Sequence, residues 1–146
     1  MIKPAAGYRP LAYSSPEAVQ TTGTVAGWNA SREARRAIAD ALPFLLAAPS
    51  VTLLVVDSHE RADRHGEEPG ADIALYLARH GAHVEVEQMS SRGSPVAGII
   101  LSYAADHGVD LIVIGAYSHA RSVEMVFGGV TRTLLKQALI PVLMSQ

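Results

Sequence analysis

One stretch of the sequence has residues that could bind an anion, the run GAYSHARSVEMVFGGVT at residues 115–131. It follows the apolar run DLIVI, so it begins where a buried strand is expected to end. Backbone N–H groups at helix N-termini bind phosphates, and glycine lets the backbone approach such a ligand closely. The candidate residues are Gly115, Gly128, Gly129, Val130 and Thr131, with Ser118 and the cation Arg121 between them. The alternative is that Gly128 and Gly129 only form a tight entry into a helix.

Other sequence patterns that carry chemistry are absent. There is no GxxxxGK[ST] phosphate loop, no GxGxxG dinucleotide loop and no GxSxG nucleophile motif. The six histidines are scattered without the spacing of metal ligands, and the chain has no cysteine. Asp57 stands alone after an apolar run, where an Asp is more often a turn residue. These absences favour a binding module over an enzyme.

Composition limits the partners and the location. The 146 residues suffice for one domain with a buried core, and the net charge of −2 includes no long basic block. Non-specific nucleic-acid binding therefore lacks its electrostatic basis. The N-terminus MIKPAAGYRP has no apolar signal region, and the longest apolar runs are too short to span a membrane. We expect no membrane partner and a cytoplasmic protein.

Strand and helix patterns alternate along the chain. Apolar or alternating runs predict strands at residues 24–28, 51–56, 83–87, 111–114 and 140–144, and amphipathic patterns predict four helices between them. This order predicts an α/β domain with a doubly wound, five-stranded parallel sheet and helices on both faces. Ligands of such sheets bind beyond the carboxyl ends of the strands, where the strand order reverses. The expected site therefore lies at the loops after the first and fourth strands, Asn29 to Ser31 and Gly115 to Gly129.

These segments together resemble a universal stress protein domain, from about residue 22 to residue 145. Residues 115–131 resemble the family's ATP-binding loop, G-x2-G-x9-G-(S/T), because Gly115 and Gly128 have the same separation. Ser118 stands at the second glycine of that loop, and Gly129 stands at its Ser/Thr.

Two further positions resemble the adenosine contacts of the family. The run WNAS at residues 28–31 is similar to the family's Asp-Gly-Ser, with Asn29 at the acid that meets the adenosine. Val56 falls where the backbone of the second strand meets the adenine. Three departures, at Asn29, Ser118 and Gly129, weaken the expected binding. If each costs about 1 kcal/mol and the costs add, the affinity falls roughly a hundredfold.

The resemblance implies a regulatory or binding module that takes ATP, ADP or AMP with Mg²⁺. The departures leave open a degenerate member that binds no nucleotide and acts through dimerisation and protein contacts. Slow ATP hydrolysis is the alternative from the enzyme class, with Glu124 as the acid inside the loop.

The domain is expected to cover residues 22–146, and residues 1–21 form an N-terminal arm. The run RPLAY at residues 9–13 is similar to IPVLM at residues 140–144, and many family proteins carry two domains in tandem. The arm is thus either the closing strand of a preceding domain or a disordered extension. The resemblance also implies a homodimer through the C-terminal edge strand, Pro141 to Met144, since an apolar edge strand seldom stays unpaired.

Overall fold

The computed structural model describes residues 2–3, 22–61, 66–116 and 129–146, with the backbone alone at residues 2–3 and 60–61. Its strands are β1 Ile2–Lys3, β2 Thr24–Gly27, β3 Val51–Val56, β4 Val84–Met89, β5 Leu111–Gly115 and β6 Val142–Ser145. Its α-helices are α1 Arg32–Ala47, α2 Ala71–Arg79, α3 Val96–Asp106 and α4 Gly129–Gln137, and a 3-10 turn covers Ser58–Arg61. The predicted alternation of five strands and four helices is therefore confirmed.

The sheet has the strand order β1-β6-β5-β2-β3-β4. Strands β2 to β6 are parallel, as the long helical connections between them require. The chain adds β3 and β4 on one side of β2 and then returns to place β5 on the other side. The strand order thus reverses between β2 and β5, and a ligand crevice is expected at the carboxyl ends of these two strands.

Helices cover both faces of the sheet, as the doubly wound arrangement predicts. One buried cluster joins α1 and α2 to the sheet and includes Ala37, Leu45 and Leu77. The opposite cluster joins α3 and α4 to the other face and includes Ile100 and Leu134. The central strands are buried on both sides, so their sequences are continuous apolar runs instead of alternating ones.

The predicted position of the closing strand at an edge of the sheet is wrong. β1 pairs with β6 in the antiparallel direction, with Ile2 opposite Leu143 and Lys3 opposite Val142. The strand β6 therefore has neighbours on both sides among the described residues. The other edge is β4, where Glu85 and Glu87 are exposed and the intervening Val86 is exposed as well. Residues 9–13, which would pair with a sheet edge if the arm were the closing strand of a preceding domain, lie outside the described residues.

Among the residues that the structure describes, no helix has both the length and the apolar character that a membrane span requires.

Candidate functional site

The loop after β2 forms a compact turn that leads into α1. The Asn29 side-chain Oδ1 accepts the Ser31 N–H at 3.1 Å, and the Ser31 Oγ accepts the Ala34 N–H at 3.1 Å. The second bond caps the first turn of α1. Ala30, between these two residues, has a φ of 56°, in the left-handed region that favours glycine. The turn is thus held by two side-chain bonds against an unfavourable backbone conformation.

Gly115, at the end of β5, lies against the first turn of α1. A Cβ added at Gly115 would lie 2.6 Å from the carbonyl carbon of Glu33 and 2.9 Å from the Cα of Ala34, and closer still to the Ala34 amide nitrogen. All three atoms are helix backbone, which cannot rotate away as a side chain can. The sequence suggested a glycine here to make room for a ligand, but the structure gives a different reason: α1 itself needs the space.

The start of α4 carries the remaining candidate residues that the structure describes. Gly129 is exposed, and a Cβ added there would meet nothing within 4 Å among the described residues. Val130 is half-buried and packs on the cluster beneath α3 and α4. Thr131 is only 2% exposed, so its hydroxyl faces the interior of the protein more than an open crevice. The accessible groups for an anion are therefore the backbone around Gly129.

The loops after β3 and β4 are joined by a polar clamp that the sequence reasoning missed. Val56 ends β3 in register with Met89, and the Asp57 N–H donates to the Met89 carbonyl oxygen at 2.9 Å. The Asp57 Oδ1 accepts the Ser91 N–H at 2.7 Å. Hydrogen bonds from the side chain and backbone of Ser91 lower the pKa of the Asp57 carboxyl below its usual range. Polar residues after two strands that are neighbours in the sheet were the signal available in the sequence.

The structure brings together the candidate residues that it describes. Asn29 follows the carboxyl end of β2, and Val56 and Gly115 are the last residues of β3 and β5. The helix α4 starts at this same end of the sheet because it leads back to the start of β6. Ser118, Arg121 and Gly128 lie outside the described residues, as does Glu124. In the described part of the chain, no three His, Cys, Asp or Glu side chains are placed to hold a metal ion.

The fold is that of a doubly wound α/β domain, a class whose ligands bind at the carboxyl end of the parallel sheet. The sequence specifies the family more narrowly. Residues 24–146 match the Universal stress protein family, which is most of the chain, so the chain belongs to that family. This confirms the resemblance drawn from the loops.

Individual relatives are distant. The universal stress protein Slr1230 of Synechocystis is 33% identical over 67 residues, which are 46% of this chain but only 22% of that protein. The structure of UspA from Lactobacillus plantarum has a TM-score of 0.71 at 20% identity and covers 88% of this chain and 99% of its own. A universal stress protein solved in complex with cAMP has a TM-score of 0.62 at 19% identity, covering 86% and 97% of the two chains. These structural likenesses show the fold.

Proposed function

We propose that this universal stress protein is a regulatory module that binds an adenine nucleotide, ATP, ADP or AMP, at the carboxyl ends of β2, β3 and β5. The observation that carries the proposal is the placement of the Asn29–Ser31 turn and the start of α4 beside the reversal of strand order. Ligands of doubly wound sheets bind at this point. The cAMP complex of a similar fold supports the ligand class.

The described residues suit the nucleoside and the phosphate unequally. The side-chain Oδ1 of Asn29 accepts the Ser31 N–H. An amide oxygen has two lone pairs, so a ribose or base can donate a hydrogen bond to the same atom. The backbone N–H groups around Gly129 would contact a phosphate, and the positive end of the α4 dipole favours its charge. Gly129 has no hydroxyl to add, and Thr131 is buried. We therefore expect recognition of the adenosine part to contribute more than recognition of the terminal phosphates.

Magnesium fits this site only as a companion of the phosphates. Mg²⁺ usually keeps several water ligands and is held by one or two carboxylates together with phosphate oxygens. The described residues offer no cluster of carboxylates that could hold the ion without a nucleotide. We expect Mg²⁺ to bind with ATP or ADP and not by itself.

The test is calorimetric titration of the purified, nucleotide-stripped chain with ATP, ADP, AMP and adenosine, each with and without Mg²⁺. Saturable binding at micromolar to tens of micromolar nucleotide supports the proposal. A flat trace for all four ligands at millimolar concentration contradicts it.

Gly129 offers a matched pair of variants that locates the phosphate. Gly129→Ser adds a hydroxyl at the position where the family loop has Ser or Thr, and Gly129→Ala adds the same Cβ without it. Neither side chain meets an obstacle among the described residues, so both variants should fold normally. A hydrogen bond to a charged phosphate oxygen is worth about 1.5–3 kcal/mol, so Gly129→Ser should bind ATP about tenfold to a hundredfold more tightly than Gly129→Ala. Adenosine should bind both variants equally, and an equal affinity for ATP would place the phosphates elsewhere.

A second candidate is a module that binds no nucleotide and acts through protein contacts. Gly115 is compatible with it, because the packing of α1 requires this glycine whether or not a ligand binds. Its presence is thus no evidence that the loop still holds phosphate, and Ser118 and Gly129 depart from the family pattern. For either candidate we propose a homodimer. Its interface is not indicated by β6, because β1 pairs with that strand and the apolar residues Val142, Leu143 and Met144 are buried within the single chain.

A further inference from the structure

The strand β4 is an edge of the sheet, and its hydrogen bonds show which of its backbone groups point outward. Among the described residues, β4 pairs only with β3. The Val51 N–H donates to the His83 carbonyl oxygen at 2.8 Å, and the Asp57 N–H donates to the Met89 carbonyl oxygen at 2.9 Å. In a parallel pair every second residue directs its N–H and C=O toward the neighbouring strand. The odd-numbered residues from His83 to Met89 therefore face β3.

The even-numbered residues of β4 present their backbone to the open side of the strand. Val84, Val86 and Gln88 direct their N–H and C=O groups away from β3, and every residue from Glu85 to Gln88 is exposed. A row of such groups accepts an added strand, whose backbone supplies the missing hydrogen bonds. This edge therefore has the backbone geometry of a strand-docking site.

One face of the edge is acidic. Glu85 and Glu87 lie on the α3 side of the sheet, where Thr52 is opposite Glu85 in the register and the Tyr103 hydroxyl donates to the Thr52 Oγ1 at 3.3 Å. The ion pairs of the described residues include neither glutamate. A groove of about 690 Å³, lined in part by Thr52, Glu85, Tyr103 and His107, leaves room for a long side chain beside Glu85. Two unpaired carboxylates thus line the α3 side of the open edge.

The other face of the edge is apolar. Val86 lies on the α2 side, because a Cβ added at Gly70, which precedes α2, would be 3.4 Å from the Val86 Cγ1. Val86 is 38% exposed, and the α2 residues Leu75 and Tyr76 are 51% and 37% exposed. These are unusually exposed for large apolar side chains of this domain. A strand added to β4 would cover part of Val86 and remove apolar surface from water.

A second copy of β4 does not suit this edge. Two β4 strands related by a twofold axis would bring four glutamates to one face of the joined sheet. Like charges on neighbouring strands oppose pairing. A strand with lysine or arginine on that face and apolar residues on the other would neutralise the glutamates and cover Val86. The charges of β4 therefore oppose self-association and favour a basic strand.

We propose that β4 is a docking edge for an extended segment of a partner protein in which basic and apolar residues alternate. The outward backbone groups of Val84, Val86 and Gln88 provide the affinity, and basic side chains opposite Glu85 and Glu87 provide the specificity. The proposal does not depend on nucleotide binding, which would use the loops beyond the carboxyl ends of β2, β3 and β5. Either proposal can therefore fail without the other.

The first experiment measures peptide binding by fluorescence anisotropy. The probe is a labelled eight-residue peptide of alternating lysine and valine, with both ends blocked. One control has the same composition in two blocks, four lysines followed by four valines, and a second control alternates glutamate with valine. We expect the alternating lysine peptide to bind about tenfold more tightly than the block peptide and the glutamate peptide not to bind. Equal affinity for the two lysine peptides, or no binding of either, would overturn the proposal.

Variants of the protein separate the charges from the backbone groups. Glu85→Gln/Glu87→Gln removes both charges at exposed positions and should weaken binding about threefold to tenfold. Val86→Pro removes one outward N–H but no bond to β3, and proline is tolerated on edge strands. It should weaken binding about tenfold, whereas the control Val86→Thr keeps the N–H and should bind as the wild type does. Wild-type affinity in the glutamine variant, or in the proline variant, contradicts the proposal.

Amide hydrogen exchange followed by NMR tests where the lysine–valine peptide binds. In the free protein, the outward amides of Val86 and Gln88 should exchange faster than the inward amides of Glu85 and Glu87. Saturating peptide should slow the two outward amides about tenfold or more, because an added strand accepts their hydrogen bonds. If the bound peptide leaves both outward amides unprotected, it binds by charge alone and the docking edge is refuted.

Discussion

Replacement of Gly115 by alanine tests the contact on which the geometry of the site depends. The added Cβ would lie 2.6 Å from the Glu33 carbonyl carbon and 2.9 Å from the Ala34 Cα, about 1 Å inside an ordinary carbon–carbon contact. The obstructing atoms are backbone, so relief requires a movement of α1 or of the end of β5. The Gly115→Ala variant therefore should displace the first turn of α1.

The expected cost has two parts. Overpacking of a closely packed position costs about 1–3 kcal/mol, and the half-buried Gly115 is such a position because the helix backbone lies against it. The displaced turn also holds the bond from the Ala34 N–H to the Ser31 Oγ, and loss of such a cap costs about 1 kcal/mol. We expect Gly115→Ala to lower the free energy of unfolding by about 2–4 kcal/mol. With a urea m value of about 1–3 kcal/mol/M, the denaturation midpoint should fall by about 1–2 M.

Gly27→Ala is the matched control, because Gly27 also lies in a strand of the sheet. Its added Cβ would lie 3.2 Å from the Ile114 Cγ2, a side-chain methyl group that can shift by a few tenths of an ångström. Alanine loses less conformational entropy than glycine when the chain folds, and this gain in stability offsets part of the cost of the small clash. Urea denaturation followed by circular dichroism compares the two variants. Equal midpoints for Gly115→Ala and Gly27→Ala would refute the close packing of β5 against α1.

Two further predictions concern strained or titrating residues at the same end of the sheet. Ala30 has a φ of 56°, so Ala30→Gly should raise the free energy of unfolding by about 0.5–1 kcal/mol and Ala30→Val should lower it. Urea denaturation midpoints measure both changes. A glycine variant less stable than the wild type would contradict the inference that the backbone of Ala30 is strained. Hydrogen bonds from Ser91 lower the pKa of the Asp57 carboxyl in the folded protein. The ionised carboxylate therefore stabilises the fold above the ordinary carboxyl pKa of about 4, and this stabilisation is lost as the pH falls through the lower pKa of the folded state. Asp57→Asn should therefore be less stable than the wild type at pH 7, and the difference should shrink as the pH falls below about 4. A stability difference that does not change with pH would contradict this assignment.

Much of the fold could be predicted because the sheet is parallel and buried. Continuous apolar runs such as residues 51–56 and 111–114 have few structural alternatives once helical patterns separate them. The short strand β1 could not be predicted in this way. Two residues, Ile2 and Lys3, have no periodicity, and their pairing depends on a strand near the other end of the chain.

The candidate site could be predicted in position but not in its internal contacts. Strand order alone places the loops of Asn29 and Gly115 side by side. The reason for Gly115 is a contact with α1, a segment about 80 residues earlier, which no local pattern reveals. The bond from the Ser91 N–H to Asp57 likewise joins two loops across the pairing of β3 with β4. Such contacts depend on which strands are neighbours in the sheet, and the spacing of residues along the sequence does not reveal them.

Backbone strain is distributed unequally between the two ends of the sheet, and this argues for a site at the carboxyl end without reference to any relative. At the amino end, the left-handed positions among the described residues are Gly81 and Gly108, where glycine adopts such a φ without cost. At the carboxyl end, Ala30, Asp57 and Arg92 have φ values of 56°, 55° and 49°, one in each loop after β2, β3 and β4. A side chain in this region costs about 1–2 kcal/mol, and such strain persists where the surrounding structure imposes it, often at binding sites. The Asn29–Ser31 turn and the Asp57–Ser91 clamp hold Ala30 and Asp57 in these conformations, so side-chain hydrogen bonds fix two of the described loops at the end of the sheet that faces the proposed ligand.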